Sequence, residues 1–78
     1  MKLNDIGEFI MKFSYKKLWR LLIDRDIKHK DLIDKTRISR STFYKLKEDE
    51  NVTTDVLIKI CEFLQCDISD IMECIEEK

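Results

Sequence analysis

Apolar residues in this chain recur at helical rather than strand spacing. Tyr15, Leu18, Trp19, Leu22 and Ile23 stand at i, i+3, i+4, i+7 and i+8, the stripe of a helix that lays one face on a core. The spacing predicts a first helix from about Tyr15 to Arg25 with Ser14 as its N-cap. At that spacing Trp19 is expected to pack rather than to bind. Leu57, Ile60, Cys61 and Leu64, flanked by Val56 and Phe63, predict another helix from Thr53 or Thr54 to near Leu64. A last short helix, capped by Asp67 or Ser69, is expected to bring Ile68, Ile71 and Met72 back to the core. There is no proline and a single glycine, Gly7, which leaves little turn chemistry for hairpins. The expected fold is therefore all-α. Residues 1–13 show no sustained period and are expected to be an arm, partly ordered through Ile6, Phe9 and Ile10. Residues 14–75 form the domain, and residues 76–78 a tail.

Between the outer helices lies KHKDLIDKTRISRSTFYKLK, residues 28–47, which reads as two short helices joined by a tight turn. Leu32 and Ile33 offer the first of them to a core. The turn is Thr36-Arg37-Ile38, anchored by Ile38. Ser39 then stands where an N-cap belongs, its hydroxyl able to accept from the first free N–H groups of the next helix. Phe43 and Leu46 recur at i and i+3 and so face inward together. The same geometry turns Arg40, Ser41, Tyr44 and Lys45 outward. This arrangement lets a small protein place one helix in the major groove of DNA.

Charge adds to that picture once the chain is divided. Residues 1–47 hold 13 Lys and Arg against 6 Asp and Glu, whereas residues 48–78 hold 2 against 10. A net charge of −1 therefore conceals halves of +7 and −8. The basic half coincides with the two short helices, the footprint expected of a phosphate-binding surface. With 78 residues the chain is one small domain, of a size that often needs a partner or cofactor to fold stably. No apolar run approaches a membrane span or a secretory signal core. Cys61, Cys66 and Cys74 make an odd set with no C-x-x-C pair, and His29, the one histidine, is far from them. The reading is reduced thiols in a cytoplasmic protein, with no metal, cofactor or small-molecule ligand. Neither a glycine-rich phosphate loop nor a nucleophile–base pairing is present, so no enzyme is expected.

Taken together, the Leu-rich first helix, DLIDKTRISRSTFYKLK and the closing phrase VLIKICEFLQCDISDIM resemble the lambda-repressor/Cro-like (XRE-type) helix-turn-helix family. The likeness covers roughly Tyr15 to Met72, and SYKKLWRLLIDRDIKHKDL is similar to small stand-alone bacterial and phage regulators of that family. It implies a five-helix DNA-binding domain with the helix-turn-helix at helices two and three. By position, the resemblance makes Arg40, Ser41, Tyr44 and Lys45 the base-reading residues. Lys28, His29, Arg37, Ser39 and Lys47 would meet phosphates. It also implies a homodimer on double-stranded DNA, because one recognition helix covers only a few base pairs. Phe9, Phe13, Met72 and Ile75 are the candidate dimer contacts, Ile75 having no evident partner within its own chain.

Two departures from the family pattern stand out. Arg37 occupies a turn position that is usually glycine, at a cost of about 1–2 kcal/mol if it is left-handed. Asp49 replaces a second glycine just after helix three, and Asp tolerates that conformation better than most residues. Glu48, Asp49 and Glu50 also place three negative charges near the expected DNA surface, which should weaken binding. The alternative function is a protein-interaction module of the same fold, antitoxin-like or regulator-binding, that uses the acidic C-terminal half.

Overall fold

The computed structural model describes residues 10–77. Residues 1–9, Phe9 among them, and Lys78 lie outside that range. The elements run β1 (Met11–Ser14), α1 (Lys16–Asp24), α2 (His29–Thr36), α3 (Arg40–Lys47), α4 (Thr54–Leu64), a 3₁₀ turn (Ile68–Asp70) and β2 (Glu73–Glu76).

Each helix buries the face that its pattern marks. Leu18 and Leu22 of α1, Leu32 of α2, Phe43 and Leu46 of α3, and Leu57, Ile60 and Leu64 of α4 meet in one core. Ile38 joins them from the turn and Ile71 from beyond the 3₁₀ segment. The polar caps follow local chemistry. Ser39 Oγ accepts from the Thr42 N–H at 3.0 Å, and Thr53 Oγ1 accepts from the Val56 N–H at 3.3 Å. Buried Thr36 satisfies its hydroxyl by donating to the Leu32 carbonyl at 2.5 Å, a back-bond open to Thr within a helix.

The all-α, five-helix expectation needs correction on two counts. First, β1 and β2 pair antiparallel, with Met11 opposite Glu76 and Ser14 opposite Glu73. The Glu77 N–H extends this ladder by donating to the Ile10 carbonyl at 2.9 Å. These are non-local hydrogen bonds between two four-residue segments, too short for alternation to mark either one. Second, the fifth helix is a single 3₁₀ turn. Asp67 and Asp70 close it as a reciprocal capping box, after which the Ile71 carbonyl accepts from the Leu18 N–H of α1 at 3.2 Å. That bond is shared, since the same Leu18 N–H also donates to the Tyr15 carbonyl at 3.0 Å, and it ties the end of the 3₁₀ segment to the start of α1.

Smaller corrections concern α1. Its N-cap is Tyr15 and makes no side-chain cap. Ser14 is buried instead at the end of β1, accepting from the Lys16 N–H at 3.4 Å. Ile23, read as part of the inward stripe, is 77% exposed, because it lies about 100° around the helix from buried Leu22, on the side away from Leu18. Ile75 does have neighbours within the chain: it pairs with Lys12 across the sheet and is half-buried.

Candidate nucleic-acid interface

The site is built on α3. Burial of Phe43 and Leu46 fixes the rotation of that helix, and Arg40, Ser41, Tyr44 and Lys45 are exposed on its opposite side. The Ser39 cap holds the N-terminal end of the helix, while Ser39 itself stays exposed. Lys28 and His29 open α2, and Lys47 closes α3. All three are exposed. Residues 28–47 carry seven Lys and Arg against two Asp, so the surface around α3 is cationic.

An aromatic cluster braces this surface from beneath. The Trp19 and His29 rings lie 5.3 Å apart, His29 and Phe43 5.3 Å, and Trp19 and Phe43 5.7 Å in an edge-on arrangement. Lys47 Nζ stands 5.9 Å from the centres of both Trp19 and Phe43, within reach of a cation–π attraction. His29 is thus packed against both Trp19 and Phe43 while remaining exposed. Trp19, assigned to packing by its spacing, is half-buried at this edge and positions both His29 and Lys47. A cleft of about 310 Å³ between α2 and α3 is lined by His29, Ile33, Arg40, Phe43 and Tyr44, together with Lys30 and Asp34. Helical spacing could have found Lys30, since it follows His29 at the start of the same helix.

Both glycine replacements adopt the left-handed conformation, Arg37 at φ 60°, ψ 26° and Asp49 at φ 57°. Asp49 has a further task that spacing could not disclose. Its Oδ1 accepts from the Tyr15 N–H at 3.0 Å, and the Tyr15 hydroxyl donates to the Glu50 carbonyl at 3.0 Å. The acidic loop therefore fastens the end of α3 to the start of α1. Burial, and then the Asp49 charge, push the Tyr15 hydroxyl above its ordinary pKa of 10.0. Only Glu48 and Glu50 of the three acids keep exposed side chains.

A helix capped by serine, seated by two apolar residues and turned cation-outward after a left-handed tight turn defines a helix-turn-helix unit. Comparison with known families agrees: the model of the Cro/C1-type HTH DNA-binding domain matches residues 17–77. The chain belongs to that family.

Among solved structures, this Cro/C1-type domain is similar to the one titled "Crystal structure of transcriptional regulator VanUg, Form II". The two are 47% identical, with a TM-score of 0.84, over 97% of this chain and 100% of the other. A search of the curated proteins finds no match. Membership makes DNA binding the function of the domain. Among the described residues no helix is long and apolar enough to cross a membrane.

Proposed function

We propose that the chain is a sequence-specific transcriptional regulator that acts in the cytoplasm as a homodimer on double-stranded DNA. The observation that carries this reading is the outward face of α3, where Arg40, Ser41, Tyr44 and Lys45 are exposed together beside a seated core. Arg40 suits guanine O6 and N7 as a bidentate donor, Lys45 reaches the same acceptors, and Ser41 serves several bases. Tyr44 stacks on a sugar or bonds a base edge. Lys28, His29, Arg37, Ser39 and Lys47 surround that face as phosphate ligands, which set register without reading sequence. The similarity to a protein titled a transcriptional regulator supports the regulatory role.

Dimerisation follows from the small footprint of one recognition helix, which two-fold symmetry doubles. The sheet offers the surface. Phe13 and Met11 are each 39% exposed on β1, Met72 and Ile75 are half-buried at and beside β2, and Phe9 lies two residues before β1. Two strands alone make a marginal sheet with unpaired edges, so a second copy would complete it.

Selection of bound fragments from random-sequence DNA, at low and near-physiological salt, tests the reading. The expected result is an inverted repeat with half-sites about one helical turn apart, bound with an affinity that falls steeply as salt rises. Retention at low salt with no enriched motif would overturn sequence-specific recognition. A protein-interaction module would show neither a motif nor a salt slope.

A further inference from the structure

The C-terminal end of α4 holds a feature that DNA binding does not use. Gln65 closes the helix in the left-handed conformation, φ 53°, ψ 56°, and the Cys66 N–H donates to the Cys61 carbonyl at 3.1 Å. That bond spans five residues and marks a Schellman cap, a motif that brings the side chains at its two ends together, ordinarily as an apolar contact. Here both ends are cysteines. The two thiols are near enough for each to shift the other's proton affinity, and both side chains are half-buried. Both line a cleft of about 800 Å³ whose other walls include Leu57, Ile58 and Ile68, with Asp67 and Asp70 at its rim. No residue of α2 or α3 lines this cleft.

We infer that Cys61 and Cys66 form a dithiol site for a trivalent, sulfur-seeking metalloid carrying one organic group, of the class of the monosubstituted arsenous acids. In the binding step two As–O bonds break and two As–S bonds form. Each thiol proton leaves with a hydroxide as water, arsenic stays trivalent and no electrons are transferred. The adduct is uncharged, and the surroundings favour that outcome over capture of a soft cation by two thiolates. Burial raises both thiols above their ordinary pKa, and nearby Asp67 and Asp70 push in the same direction. At Cys66 the neighbouring Cys61 thiol and then Arg25 pull the other way without reversing the direction. The negative end of the α4 dipole also disfavours an anion there. Ile58 and Ile68, 56% and 44% exposed, give the organic group an apolar bed. Cys74 is exposed on β2 and provides an internal single-thiol control.

The test is titration of the full chain, kept reduced with a phosphine, with phenylarsenous acid, read by native intact mass and by counting free thiols. Wild type is expected to take one phenylarsenic group and lose two titratable thiols, with a rise in its thermal midpoint as for any ligand of the native state. Cys74→Ser should behave as wild type. Cys61→Ser and Cys66→Ser should each bind at least about 100-fold more weakly, because chelation by linked groups is lost. Circular dichroism checks that both variants fold, and Cys66→Ala serves where Cys66→Ser does not. A simple dithiol should strip the adduct while a monothiol at equal thiol concentration leaves it in place. Absence of the adduct in folded wild type, or equal binding by Cys66→Ser, would overturn the inference.

Discussion

Two left-handed turns bracket α3, and they differ in charge and in task. At Arg37 the turn presents a cation that makes no side-chain hydrogen bond or ion pair among the described residues. The backbone is strained by about 1–2 kcal/mol in exchange for a positive charge beside the proposed DNA backbone. At Asp49 the turn carries an anion that is consumed internally, holding the Tyr15 N–H at 3.0 Å. The same backbone conformation therefore serves the proposed binding at one end of the helix and stability at the other. Charge near a functional surface does not by itself declare its role; its partner does.

The comparison depends on α3 being seated, and Phe43 seats it. Phe43→Ala should cost about 3–5 kcal/mol, the usual range for a buried Phe, and lower the melting temperature by more than about 12 °C for a domain of this size. A nearly unchanged melting temperature would mean that α3 faces the other way.

Asp49→Ala is the next largest expected effect. It removes a charged acceptor, worth about 1.5–3 kcal/mol, and places a Cβ-bearing residue with no compensating polar group in the left-handed region. Asp49→Asn keeps an acceptor and tolerates the conformation, so less than half of the loss should remain. Urea denaturation of the two variants checks this, and equal stabilities would show that the contact to Tyr15 contributes nothing.

The same contact gives stability an alkaline limit. Tyr15 holds its proton more tightly folded than unfolded, because its pKa is raised above 10.0 by burial and then by Asp49. Its contribution is thus complete below about pH 10 and is lost as pH rises through the folded value. Tyr15→Phe should flatten the alkaline fall in chemical-denaturation stability; an unchanged fall would assign it elsewhere.

Arg37→Gly sharpens the other side of the comparison. It should raise stability by up to about 1 kcal/mol by relieving strain. It should also weaken DNA binding and reduce the slope of log affinity against log salt by about 1, as loss of one phosphate contact does. The smallest effect is expected from Glu48→Gln with Glu50→Gln, which leaves Asp49 untouched. Tighter non-specific binding by a few-fold at low salt should disappear at high salt through screening. No change at low salt would place those carboxylates away from the duplex.

What the sequence disclosed was the part of the fold whose signals are local. The stripes of α1 and α4 and the Ser39 cap each rest on residues within one or two turns of one another, whereas the left-handed turns at Arg37 and Asp49 were legible only through the family resemblance. The sheet was not legible, since Met11 meets Glu76 across nearly the whole chain and neither strand is long enough to alternate convincingly. The brace from Asp49 to Tyr15 spans 34 positions, and the aromatic cluster joins α1, α2 and α3. Both arise from packing that no linear pattern records. The outward set of α3 was legible because its complement, Phe43 and Leu46, had to go inside.

On the proposed reading, the exposed face of α3 reads bases rather than only phosphates. Measuring the affinity of wild type and Arg40→Ala for the selected site and for unrelated duplex at one salt concentration tests it most directly. The expected result is a loss of about 5- to 150-fold on the selected site, equivalent to about 1–3 kcal/mol of base discrimination, with much less change on unrelated duplex. Equal losses on both would make Arg40 a phosphate contact and contradict the assignment of this face to sequence recognition.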